Sequence, residues 1–173
     1  VPAPDGARAL TLFLQLVGAD RLEVTRAAIG GEALHPALRG NFQAAAMPGW
    51  VAPVVSRVMA LGHRARLARL AGVPRLETPA AYFGALAERR RFVFDVVDTW
   101  RSADVDVVIS PAVGLPAFTH GSSPDLVDAA SYTFVYNLLG FPAGVVPVTR
   151  VREDEESDRA DSRDPADQVA RAV

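Results

Sequence analysis

The segment SYTFVYNLLGFPAGVVPVT at 131–149 constrains this chain more than any other. Its first half has helical spacing and runs into Gly140, the residue type that takes a left-handed stop without a Cβ penalty. Phe141-Pro142 turns the chain, and the valine-rich run from Gly144 to Thr149 has the composition of a strand. Pro147 lacks a backbone N–H, so such a strand is confined to an end, an edge or a bulge. The segment therefore predicts a helix, a fixed stop and a returning strand. It holds no nucleophile beside a base, no metal cluster and no phosphate loop.

Local signals elsewhere are mostly helical. Asp5 is an expected N-cap for a helix through Leu10, Phe13, Leu14 and Val17, stopped at Gly18. A short helix follows from Leu22 to Ile29, ahead of Gly30-Gly31. Thr78-Pro79 supplies a cap and first turn for a long helix to about Arg101, with Tyr82, Leu86, Val93, Val96, Val97 and Trp100 as its core stripe. Asp106 to Ser110 reads as a buried strand broken by Pro111, and a Gly/Pro-punctuated loop leads to a helix over 128–139. From Arg150 the chain turns strongly acidic and nearly free of apolar residues, the composition of a disordered loop or linker. We expect one domain over 1–149 and a linker over 150–173.

Charge is unevenly placed. No acid falls between Glu32 and Glu77, where six arginines and two histidines lie. Residues 33–76 thus read as a basic amphipathic hairpin. At 100° per residue Val51, Val54, Val55, Val58, Leu61 and Ala65 share a face, with Trp50 at the entrance and a break expected near Gly62. A Trp-led basic amphipathic helix suits a bilayer interface, so 50–65 could contact a membrane surface. The same pattern also fits an ordinary helix with a packed face and a solvated arginine face.

Composition removes whole classes of chemistry. The chain has 173 residues and no cysteine, which excludes disulfides, thiolate catalysis and Cys-type zinc sites. All 18 basic residues are arginine, so no lysine base, Schiff base or P-loop lysine exists within it. A net charge of −2 predicts no nucleic-acid partner, and Glu88 to Arg91 reads as a solvated helix flank. THGSSPD at 119–125 places His120 near Ser122 and Ser123, but its turn chemistry predicts a solvent-facing loop. We assign no catalytic residue, metal or cofactor. The start at Val1 reads as a processed end or an internal cut.

DVVISP at 106–111, SYTFVYN at 131–137 and FPAGVVPVT at 141–149, in that order, resemble the C-terminal half of a fatty acid amide hydrolase. That is the long-chain-amide branch of the amidase signature family. The resemblance implies an α/β/α fold around a mixed sheet, and a Lys-Ser-Ser triad hydrolysing acyl amides or esters. The chain holds neither a lysine nor a Gly-Gly-Ser-Ser-Gly-Gly run, so it resembles the family only outside its catalytic region.

By position in that family, Val113, Val127, Ala130 and Phe134 are candidates to touch an acyl chain, with Phe42, Met47, Trp50 and Val54 at the channel mouth. Plain core packing is the competing role for each. The resemblance implies an amide or ester substrate with an acyl chain, no cofactor, and room for a homodimer of the longer enzyme. All-arginine, alanine-rich usage points to a GC-rich bacterial genome, and we expect a cytoplasmic protein, with peripheral membrane contact as the variant. Two alternatives stay open: a transamidase A subunit acting on glutamine, and a non-catalytic remnant that binds lipid or membrane.

Overall fold

The computed structural model describes residues 2–61, 68, 70–115, 118–155 and 168, with backbone alone at 124, 125, 127 and 128. Helix α1 spans Gly6–Val17, and the Asp5 carboxylate accepts from the N–H groups of Ala7 and Arg8 as the sequence predicts. Its buried positions are Ala9 and Leu12, with Phe13 and Leu16 beside them. Of the apolar residues read from the sequence, Phe13 packs against the core, Leu10 and Leu14 are half-buried and Val17 is exposed. Two neighbouring helices, rather than one, decide which side of α1 is covered.

Those neighbours are α5 (Pro79–Ser102) and α6 (Ser131–Leu139). The Thr78 hydroxyl accepts from Ala81 N–H, and Pro79 takes the first turn, where a missing N–H leaves no helical bond unmade. At 24 residues α5 is about 36 Å long. Phe92, Val96 and Trp100 on α5 meet Ala9 and Leu12 of α1 and Leu138 and Leu139 of α6 in one core. Gly140 ends α6 with φ of 74°, the predicted left-handed stop.

Polar groups fasten this three-helix core from outside. Arg8 forms an ion pair with Glu88 and lies over the Phe92 ring at 5.3 Å, while Arg91 reaches Glu88 at 3.2 Å. The Arg89 Nε donates to Leu138 O at 2.8 Å, near the carbonyl end of α6. Glu88 and Arg89 of the predicted solvated flank are therefore built into the helix packing, while Arg90 and Arg91 are exposed as expected.

Helix α2 (Glu23–Ile29) has no buried residue. Helices α3 (Pro36–Ala46) and α4 (Ala52–Leu61) follow, joined by a 3-10 turn at Gly49–Val51. The bend predicted near Gly62 lies outside the described residues, as does most of the 150–173 linker beyond a short turn at Glu153–Glu155.

The expected α/β fold with a mixed sheet is corrected here. No strand occurs among the described residues, which fold as helices, turns and irregular chain. Residues 106–110 and 144–149 carry strand composition but have no ladder opposite, and Ile109 and Val148 are 93% and 90% exposed. A helix closes its hydrogen bonds within one segment, whereas a strand exists only when another pairs with it. Valine-rich sequence alone could not provide that partner.

Candidate functional site

The corner between α3 and α4 begins at an unusual cap. His35 Nδ1 accepts from Ala37 N–H at 3.3 Å, with Pro36 in the first turn of α3. Proline disfavours the helical region for the residue before it, and Met47 ahead of Pro48 is extended at φ −62°, ψ 141°. Pro48 is extended too, so α3 stops and the chain swings into α4 with a bend of 97°. Among the described residues no single helix is long and apolar enough to cross a membrane. The α3–α4 pair has the length and composition together, but only across this bend.

Helix α4 buries none of its residues. Trp50, Val54, Val58 and Leu61 recur at helical spacing as one exposed apolar row, with Trp50 77% and Leu61 84% exposed. Val51 and Val55 are half-buried, so over 51–61 the predicted apolar face is covered only at its edge, and Ala65 lies outside the described residues. Arg57 on the same helix is exposed beside it, and Arg39 on α3 is exposed too. Phe42 is instead buried, with the Arg26 guanidinium 4.8 Å above its ring, and Met47 is half-buried at the bend. Of the four predicted mouth residues, Trp50 and Val54 face outward and Phe42 packs.

The other four candidates lie around the start of α6. Gly114 N–H donates to Ala129 O at 2.9 Å, which brings exposed Val113 alongside Ala130 at the helix entrance. The Ala130 carbonyl accepts from the Thr133 hydroxyl. Phe134 stacks on Phe13 with ring centroids 4.6 Å apart. The Val127 side chain lies outside the described residues. A groove of about 760 Å³, bordered by Leu16, Val24, Leu76, Tyr82 and Phe83, lies elsewhere, and none of the eight candidates lines it. Tyr82, read from sequence as core, stands on that groove's rim.

Ser122 donates to Thr119 O at 2.6 Å inside a turn whose Gly121 has φ of 91°. Its hydroxyl is engaged with backbone, and His120 beside it is exposed. Sequence reasoning missed Arg75 and Glu77, which contact both arms of the α3–α4 corner. They close the acid-free stretch, but no periodic pattern marks either as structural.

A family model described as Amidase matches residues 39–167 of this chain. The chain belongs to the amidase family, and the resemblance read from its sequence is borne out. It is similar to fatty-acid amide hydrolase 1 of Sus scrofa, with 45% identity over 62 residues, 36% of this chain and 10% of that protein. It is also 31% identical over 125 residues to fatty acid amide hydrolase 1 of Caenorhabditis elegans, covering 71% of this chain and 21% of that protein. The chain thus spans about a tenth and about a fifth of the length of these two relatives.

Proposed function

We propose that this chain is a segment of a serine amidase that hydrolyses acyl amides or esters, with long-chain fatty amides as the foremost substrates. In such an enzyme a serine oxygen attacks the substrate carbonyl while its proton passes through a second serine to a neutral lysine and on to the leaving amine. Water then cleaves the acyl-enzyme to the free acid. No lysine occurs in these residues, so the base belongs to another part of the enzyme. Residues 2–155 supply scaffold, channel wall and a membrane-facing corner.

One observation carries the reading within the family: the exposed row Trp50, Val54, Val58 and Leu61 on a segment without a single acid. An apolar row beside exposed arginines matches a surface with an apolar interior and anionic headgroups. At ten residues α4 is about 15 Å long, half the hydrocarbon thickness, which suits lying in the interface rather than crossing it. A long acyl chain partitions into the same region, so a corner seated there brings enzyme and substrate together.

The test is hydrolysis of a long-chain acyl amide by the whole enzyme, with substrate presented in anionic vesicles and, separately, dispersed below its aggregation limit. Faster turnover in vesicles, reduced by Trp50→Ser with Leu61→Ser, is expected. Ammonia release from glutamine without action on acyl amides would sink the reading in favour of a transamidase. Vesicle binding without any hydrolysis would favour a lipid-binding remnant.

A further inference from the structure

Helix α4 buries no residue and α3 buries only Phe42, so little core packing bears on the angle between them, although Ser56 on α4 donates to Ala68 O at 2.8 Å. A short segment outside both helices touches each of them. The Arg75 guanidinium donates to three carbonyls where α3 ends: Ala44 O, Ala45 O at 3.4 Å and Met47 O. Helix C-termini leave such carbonyls without an intrahelical partner, and a cation there also meets the negative end of the helix dipole. Only the planar arginine fork offers enough donors, in fixed directions, to reach several carbonyls at once.

Two residues further on, the Glu77 carboxylate lies in the space that a Cβ on Gly49 would fill, at the entry to α4. Arg21 Nη2 stands 3.8 Å from that carboxylate. At the other end of the segment the Gln15 side chain donates to Pro74 O at 3.1 Å, which ties it to α1. Residues 74–77 therefore touch α1, the end of α3 and the start of α4.

We propose that residues 74–77 are a brace that sets the α3–α4 angle, with Arg75 as its positioning residue and the Glu77–Gly49 contact as its second point. Resting on the membrane-facing reading above, the brace holds the Trp50–Leu61 row at one inclination to the core.

The chain has no cysteine, so Gln43→Cys on α3 and Ala60→Cys on α4, both exposed, take spin labels specifically. Pulsed dipolar spectroscopy then reads the distance distribution between the two arms. We expect one narrow distribution in the otherwise native chain, at least doubled in width by Arg75→Ala and partly widened by Arg75→Lys. Arg152→Ala, whose partners are Asp154 and Glu155, leaves it unchanged. An unchanged width in Arg75→Ala at native helix content overturns the proposal.

If Arg75→Ala loses helix content, Arg75→Lys decides, by broadening or by the lack of it. Collapse of the whole chain in Arg75→Lys would also overturn the proposal, because a brace at one corner leaves α1, α5 and α6 folded. Flotation of the native chain with anionic vesicles is a separate arm. Failure there would sink the membrane-facing reading and leave the brace to be judged on its distances.

Discussion

Phe13 and Phe134 stack face on face, their planes 10° apart, and so join the first helix of the core to the last. Both rings are half-buried, and Phe13 packs against the core that holds Leu12 and Leu138. Two roles stand for Phe134, core and channel wall, and the cost of truncating it separates them. Truncating a buried phenylalanine costs about 3–5 kcal/mol, and a half-buried one falls near the lower end. We predict a loss of about 3 kcal/mol for Phe134→Ala in urea unfolding. Non-additivity with Phe13→Ala should reveal an aromatic coupling of roughly 1 kcal/mol. A loss below about 1 kcal/mol would remove Phe134 from the core and favour the channel role.

Gly140 and Arg89 terminate the same helix by different means. The left-handed φ of 74° costs a side-chain-bearing residue about 1–2 kcal/mol, so Gly140→Ala should lower stability by that amount. Gly140→Asn should lose less, because asparagine tolerates that conformation. Arg89→Met keeps the stem but releases the Leu138 carbonyl, with an expected loss of about 1 kcal/mol. Denaturant midpoints of the three variants check the order.

The exposed row on α4 should separate stability from binding. Leu61→Ser and Trp50→Ser alter mostly exposed side chains and should leave the unfolding free energy within about 0.5 kcal/mol. Each should weaken association with anionic vesicles by roughly fivefold or more in a flotation assay, as expected for losing about 1 kcal/mol of apolar burial. Arg57→Gln should weaken it about fivefold at low salt and less at high salt, since headgroup attraction is screened. Equal binding by all three variants would contradict an interfacial role for this row.

The serines near His120 offer a control on the chemistry. Ser122 is bonded within its own turn and Ser123 is exposed at the start of a 3-10 segment. His120→Ala, Ser122→Ala and Ser123→Ala should each leave acyl amide hydrolysis by the whole enzyme within about twofold. A loss of 10²-fold or more in any of them would assign it a part in acid–base or nucleophilic catalysis.

Much of the helical framework was legible because its signals are local. Asp5, Thr78-Pro79 and Gly140 act on their own neighbours within one turn, and each cap lies where the sequence places it. His35 was not legible as a cap, since histidine is a rare choice and its acceptor nitrogen shows only in the geometry. The strands failed for the opposite reason: Val107 to Ile109 and Val145 to Val148 need a partner, and no partner pairs with them among the described residues. The candidate site divided in the same way. Helical periodicity put Val54, Val58 and Leu61 on one face, whereas Arg75 acts across about 30 positions of chain and leaves no periodic trace.

The two tryptophans sit in opposite surroundings, Trp100 buried against Phe141 and Trp50 almost bare at the corner. The chain therefore carries two optical reporters whose signals move in contrary directions. Unfolding shifts the emission of Trp100 to the red, while entry of Trp50 into an apolar layer shifts its emission to the blue. A single titration can thus tell a chain that docks from one that melts, with no label attached.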